Sequence, residues 1–212
     1  MTVIAIDGTF ASGKGTLGKR LAAHYGYAYL DTGKLYRAAA AKALAAGADL
    51  TDDAACADFA ASLSLADLED PILKSGPVGA AASKVAVHTK VRDALLHFQR
   101  NFALAPPKPF TGAVLDGRDI GTVICPGADV KLYVDADPEV RAERRYKELL
   151  SYGEDVTFES VLAQLQERDH RDMNRETAPL KPAANAHLLD TTNLSIDAAF
   201  TAAISIVEAA LK

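Results

Sequence analysis

Lys14 stands at the end of a glycine-spaced run, Gly8-Thr9-Phe10-Ala11-Ser12-Gly13-Lys14-Gly15-Thr16. Two glycines separated by four residues, the second followed at once by a lysine, let several backbone N–H groups turn toward one anion. A helix that begins at the lysine adds the partial positive charge of its N-terminus. Lys14 adds a full charge for the outer phosphates, and the Thr16 hydroxyl lies near enough to serve a metal carried with them. The chemistry implied is nucleotide phosphate binding by Gly8 through Thr16. Two residues depart from the strict pattern. Gly15 displaces the hydroxyl by one position, and Ala11 requires a loop conformation that alanine can reach.

A second concentration of charge is Asp116-Gly117-Arg118-Asp119, directly after an apolar run. Charges beside a buried strand are costly unless they are paired or meet a ligand. A third is arginine: six of eleven arginines fall between residues 141 and 175. Arg141, Arg144 and Arg145 share a helical face by their spacing, as do Arg168, Arg171, Asp172 and Arg175. Such faces bind an anion or lace two helices with salt bridges, and Glu143, Glu148, Glu167 and Asp169 keep the second option open. Phosphoryl transfer needs positive charge on donor, acceptor and moving group together, which favours an arginine-bearing lid.

The elements that must hold these groups follow from periodicity. Val3–Asp7 is short, apolar and β-branched, hence a buried strand, and Leu17–Tyr25 has helical spacing. Residues 27–31, the run from Gly112, Asp129–Asp135 and His187–Asp190 read as further strands. Lys34–Ala46 reads as a helix, and Ala54–Leu65 as another, with Thr51 as its cap. A long helical pattern runs from Val78 to Leu104, where Ser83 and Arg92 read as surface residues. The prolines of residues 105–109 stop it. Asp137-Pro138 starts a helix, and Ser195 caps a last one to Leu211. Strands alternating with helices predict an α/β protein with a parallel sheet covered on both faces. In such sheets ligands sit beyond the carboxyl ends of strands, where Thr32, Tyr36 and Arg37 also fall. Tyr36 and Arg37 read equally well as a core aromatic and a solvated charge.

Length and composition bound the rest. At 212 residues, 49% apolar and net charge −5, the chain suits one globular domain and disfavours a general nucleic-acid binder. Cys56 and Cys125 have no metal-ligand spacing and suit reduced thiols in a cytoplasmic protein. The strand beginning at residue 3 leaves no room for a signal peptide, and no apolar run approaches a membrane span.

The motifs together resemble the bacterial cytidylate kinases of the nucleoside monophosphate kinase superfamily. The resemblance rests on Gly8–Thr16, Leu30-Asp-Thr-Gly33 with Tyr36-Arg37, Ala81–Ala86, Val91-Arg92, Asp116–Thr122, and Glu167–Arg175 followed by Ala178-Pro-Leu180. It covers nearly the whole chain in order. It implies a three-layer P-loop NTPase fold with a five-stranded parallel sheet, a monophosphate-binding region at about residues 32–104, and a lid at about 141–176. It implies ATP-dependent phosphorylation of CMP and dCMP, with Mg²⁺, in one domain. Small size and the lack of a long apolar surface helix point to a monomer, and the charge and the apolar runs to no nucleic-acid or membrane partner. The resemblance also has Gly8–Thr16 hold ATP. Ser83, Arg92 and Asp119 read cytosine. Arg168 and Asp172 contact the sugar and its phosphate, with Asp172 on the ribose, and Arg37, Arg118 and Arg175 hold the acceptor phosphate beside Thr32 and Tyr36.

The chemistry of the base agrees with that assignment. Cytosine offers a donor at N4, which suits Asp119, and acceptors at N3 and O2, which suit Arg92 and Ser83. Lys14, Arg118 and the lid residues Arg141 and Arg145 are the expected catalytic cations, and Thr16 and Asp116, the latter through water, the expected metal neighbours. Residues 66–77 depart from the family by being short where a larger insert is common. A kinase with UMP, AMP or a small hydroxy-metabolite as acceptor, and a nucleotide sensor without catalysis, are the rival readings.

Overall fold

A computed structural model describes residues 1–212, the Leu65 side chain excepted. Five parallel strands form the middle layer: β1 (Thr2–Gly8), β2 (Ala28–Asp31), β3 (Gly112–Gly117), β4 (Val130–Asp135) and β5 (His187–Asp190). Their order across the sheet is β2-β3-β1-β4-β5. β1 is central because it has few polar side chains to place: six of its seven residues are buried. Alternate residues of β1 feed opposite faces, as strand geometry demands. Val3 and Ala5 join a cluster with Leu35, Val85, Val91 and Leu95, while Ile4 and Ile6 join one with Leu17, Leu21, Ala203 and Val207.

Those clusters are the sheet's two coverings. On one side lie α1 (Lys14–Tyr25) and α8 (Ile196–Ala210). On the other lie α2 (Thr32–Ala45), α4 (Gly76–Val85) and α5 (Thr89–Leu104), with α3 (Asp53–Ala61) packed on α2 and α5. A third, smaller cluster of Ala142, Leu149, Val161 and Leu165 joins α6 (Pro138–Ser151) to α7 (Phe158–Asn174), and Phe10 and Ala11 pack against it. The α6–α7 pair therefore has its own core and meets the glycine loop directly. The expected three-layer α/β fold with a five-stranded parallel sheet is the one observed.

Three helix readings differ from expectation. The helix read as Ala54–Leu65 runs from Asp53 to Ala61, and Leu65 instead opens a 3₁₀ turn. Thr51 does not cap α3; its hydroxyl and its N–H both turn back to donate to Asp49 at 2.8 Å. Asp52 caps instead, accepting from Ala54 and Ala55 N–H at 3.0 Å each. The pattern from Val78 to Leu104 is also two helices and not one. Its break at residues 86–88 has no proline or glycine; it is held from outside, by the His88 ring nitrogen against the Leu50 carbonyl at 2.8 Å. The break sends α4 against α2 and α5 against α3. Residues 66–77 fall in two short 3₁₀ turns, Leu65–Glu69 and Pro71–Lys74, and the start of α4.

Candidate active site

The glycine loop joins β1 to α1 at the carboxyl edge of the sheet. Gly8 must be glycine there, because an added Cβ would stand 1.9 Å from the Val134 carbonyl oxygen. Gly13 lies in the left-handed region at φ 91°, at the cap of α1. Ala11 shares that region at φ 61°, a conformation that costs an alanine about 1–2 kcal/mol. The loop closes on itself: the Ser12 hydroxyl and the Lys14 ammonium both donate to the Thr9 carbonyl at 3.0 Å. Neighbouring elements clamp it. The Thr9 hydroxyl donates to Asp135 at 2.5 Å, the Thr191 hydroxyl to the Ser12 carbonyl at 2.9 Å, and Arg141 to the Phe10 carbonyl at 3.1 Å.

The loop forms one end of a cavity of about 790 Å³. Eleven lysines and arginines line it against five aspartates and glutamates, in a chain of formal net charge −5. Such segregation is the electrostatic signature of a polyanion site. Burial, then the neighbouring Arg118, press the Lys14 ammonium below its ordinary pKa. Burial pushes the Arg168 guanidinium down to about 9, with Arg118, Arg37 and Arg145 adding to the effect. An arginine does not give up its proton under ordinary conditions. Burial first, and then the like charges around it, disfavour the bare cation, and a bound anion would offset both.

At the far end of the cavity, side chains pair across elements. Arg92 of α5 meets Asp119 at 2.5 Å, and its other amino group donates to the Ala86 carbonyl at 3.1 Å. The Tyr36 ring lies 5.6 Å from the Arg92 guanidinium. Arg118 donates to Asp172 of α7 at 2.8 Å. Burial alone would raise the Asp172 pKa, but Arg118 and Arg168 hold it below the ordinary carboxylate range. Arg175 lies 3.7 Å from Asp119 and leaves one buried amino nitrogen without a hydrogen-bond partner. Arg37 donates to the Leu73 carbonyl at 2.6 Å, so the short segment 66–77 contributes directly by holding this arginine. The Thr32 hydroxyl donates to the Asp116 carbonyl at 2.7 Å.

Most residues singled out in the sequence thus line one cavity: Phe10 through Thr16, Thr32, Tyr36, Arg37, Arg92, Asp116, Arg118, Asp119, Arg145, Arg168, Asp172 and Arg175. Gly8 and Thr9 shape the loop from behind. Ser83 and Arg92 are buried and not on the surface as their helical setting suggested. Ser83 accepts from Arg171 at 3.2 Å and does not line the cavity. Arg141 is not on the cavity wall either: it bonds the Ala136 carbonyl at 2.7 Å and pairs with Asp169 at 2.7 Å.

Residues missed in the sequence also line it. Leu194 and Ile196 are on its wall, and so is Arg144, which donates to the Thr191 hydroxyl at 3.1 Å. Its spacing with Arg145 was visible, but not which of the three arginines the helix turns inward. Asp31 was read as the end of a strand. It caps α2, accepting from Lys34 N–H at 3.3 Å, and stands within electrostatic reach of Lys14 and Asp116.

The donor chemistry near the loop fits Mg²⁺. Thr16 and Asp116 are hard oxygen donors on the cavity wall, the kind of sparse set that serves a cation held mainly by phosphates and water. Burial and Asp31 raise the Asp116 pKa, so a nearby cation would favour its ionised form. Its carboxylate lies against the start of α1, 3.4 Å from where a Cβ at Gly15 would stand.

Comparisons with known proteins agree in what they find. A family model described as Cytidylate kinase matches residues 4–209. A protein of Rhodopseudomonas palustris (strain ATCC BAA-98 / CGA009) named Cytidylate kinase is 58% identical over 207 residues, covering 98% of this chain and 96% of the relative. One of the same name from Nitrobacter winogradskyi is 58% identical over 206 residues, covering 97% and 95%. Among solved structures, an uncharacterized protein from Eubacterium ventriosum aligns over 98% of this chain and 99% of its own, with TM-score 0.54 and 14% identity. That last likeness is one of fold.

Proposed function

This chain belongs to the cytidylate kinase family, and from that premise we propose how its residues divide the transfer of the γ-phosphoryl group of ATP to CMP or dCMP. An oxygen of the acceptor's phosphate attacks the γ-phosphorus. The bond from that phosphorus to the β–γ bridging oxygen breaks, and ADP leaves with CDP or dCDP. No covalent bond to the protein forms. Catalysis then consists of positioning and of neutralising charge.

The glycine loop from Gly8 to Thr16 holds the ATP phosphates on its N–H groups and on the N-terminus of α1. Lys14, already buried at the cavity wall, supplies positive charge to the outer phosphates. Among the cavity-lining residues, Arg144, Leu194 and Ile196 supply the cation and apolar surface that suit a flat aromatic base. Mg²⁺ would be held by Thr16 and, through water, by Asp116, and supplies further neutralisation of the phosphates when bound. The Arg145 and Arg168 guanidinium groups both lie over the Phe10 ring, 5.7 and 4.1 Å from its centre, and both line the cavity. They are the lid cations best placed for the moving group. Arg141 serves by tying α6 and α7 to the loop.

On the acceptor side, Arg37, Arg118 and Arg175 hold the monophosphate. Asp119 accepts from the cytosine N4 amino group, and Arg92 donates to its acceptor edge. A uracil would set its O4 acceptor against the Asp119 carboxylate. Mismatching a buried polar group in this way rejects the wrong base strongly. Ser83, whose hydroxyl accepts from Arg171, is the third polar group proposed for the cytosine edge. Asp172 receives a sugar hydroxyl while keeping Arg118 in place. An ATP-consuming enzyme of this kind works in the cytoplasm, where its substrates are.

The observation that carries this reading is convergence: Lys14, Arg37, Arg92, Arg118, Arg168 and Arg175, drawn from five separate parts of the chain, line one cavity. ADP formation, measured by coupled assay with CMP, dCMP, UMP and AMP, tests it. Turnover with CMP and dCMP well above UMP and AMP is expected. ADP formation with another monophosphate alone, or with none, overturns it.

A further inference from the structure

Asp119 occupies an unusual place. It is the first residue before a π-helical turn, Ile120–Ile124. The turn is closed by Ile124 N–H to the Asp119 carbonyl at 3.1 Å and Cys125 N–H to the Ile120 carbonyl at 2.7 Å. The first N–H groups of any helical turn lack partners within it. An aspartate at the cap position ordinarily folds back to accept from them. Asp119 does not; its side chain makes no cap hydrogen bond and reaches Arg92 and Arg175 instead.

The missing acceptors come from another strand. Asp7, the next-to-last residue of β1, is buried at 4% exposure. One of its oxygens accepts from Ile120 N–H and the other from Gly121 N–H, each at 2.7 Å. The two partners lie 113 and 114 residues away in the chain. Burying this carboxylate is unfavourable: desolvation pushes its pKa up to about 6 despite the two backbone donors. Nothing in the proposed mechanism touches Asp7, so its cost calls for an account. Gly121 is cut to fit it, since an added Cβ would stand 3.3 Å from an Asp7 oxygen and 3.1 Å from the Lys131 side chain.

We propose that Asp7 is a positioning residue for base selectivity: by capping the π turn from the neighbouring strand, it frees the Asp119 carboxylate to read the pyrimidine. The inference rests on Asp119 reading the base, as set out above. It also ties the two halves of the site together. Asp7 is followed directly by Gly8, so the strand that delivers the phosphate cradle also fixes the height of the base reader. Were Asp7 unable to accept both N–H groups, the turn would take its acceptor from the nearest carboxylate, and that is Asp119 itself.

Asp7→Asn tests this. The carboxamide keeps one acceptor but sets an amino group against the other N–H donor. The KM for CMP should rise, and the preference for CMP over UMP in kcat/KM should narrow, each by roughly tenfold. The KM for ATP should change less than about threefold, because the cradle's own bonds are intact. Equal losses with CMP and UMP, a loss confined to ATP, or unchanged selectivity in a folded protein overturns the inference. If Asp7→Asn shows no cooperative thermal transition, Gly121→Ala displaces the same hydrogen bond more gently and is read by the same ratio. A wild-type enzyme that fails to prefer CMP sinks the base-reading assignment itself, and this inference with it, before any variant is measured.

Discussion

In the glycine loop, the Ser12 hydroxyl and the Lys14 ammonium donate to the same main-chain carbonyl, Thr9, three and five residues away. At the other end of the cavity, Arg92 reaches Asp119 across 27 residues and Arg118 reaches Asp172 across 54. The donor end is thus mostly backbone, held by a local sequence and clamped from outside. The acceptor end is mostly side chain, assembled by packing β3, α5 and α7 together. A backbone cradle presents N–H groups whatever occupies it, and so suits phosphates common to all nucleotides. Paired side chains can trade partners, and so suit a base that must be told from its relatives. In the free protein Arg92, Arg118 and Arg175 face Asp119 or Asp172, carboxylates that a substrate would have to share or displace, whereas Arg37 rests on the Leu73 carbonyl.

The largest effect expected at the donor end is from Lys14→Met. Its kcat should fall by about 10³-fold or more, roughly 4 kcal/mol of transition-state stabilisation, with the KM for CMP nearly unmoved. A comparable rise in that KM would show that the two ends are not built independently.

Arg141→Met probes the clamp between the loop and α6–α7. It leaves Asp169 without its 2.7 Å partner, and removing one member of a buried pair costs about 3 kcal/mol. The thermal transition should drop accordingly, while kcat at a temperature where the variant stays folded changes by less than about tenfold. A fall in kcat of several hundredfold without loss of stability would instead put Arg141 on the moving phosphate, as its helical spacing first suggested.

The smallest effect is from Ala11→Gly. Relief of the left-handed alanine, offset by the greater freedom of an unfolded glycine, should leave the protein more stable by about 0.5–1 kcal/mol in denaturant unfolding. Destabilisation would mean that the Ala11 methyl, packed with Phe10 on the α6–α7 core, matters more than its backbone strain.

The same contrast explains what could be read from the sequence. The cradle was legible because its residues are contiguous and its strand and helix announce themselves on either side. The five strands were legible for the like reason, each being a short apolar run ending near a turn. The break between α4 and α5 was not, since Ala86-Val87-His88 contains no breaker and a carbonyl 38 residues away holds it. Arg92 and Ser83 looked like surface residues because a helical pattern does not reveal what packs against its polar positions. Arg141 ranks above Arg144 in the sequence, the reverse of their places at the cavity, because spacing gives a helix face but not the side from which the glycine loop approaches it. Asp7 passed as the last polar residue of a strand; its partners are two N–H groups, which no side-chain pattern marks.

The central claim is that the acceptor end reads cytosine through Asp119. Steady-state kinetics of Asp119→Ala with CMP and UMP at saturating Mg-ATP tests it most directly. The account predicts that kcat/KM for CMP falls by about 10²-fold, while that for UMP falls far less or rises, so that the preference collapses. An equal fall for both nucleotides would contradict it, placing Asp119 among the residues that hold Arg92 and Arg175 rather than among those that meet the base.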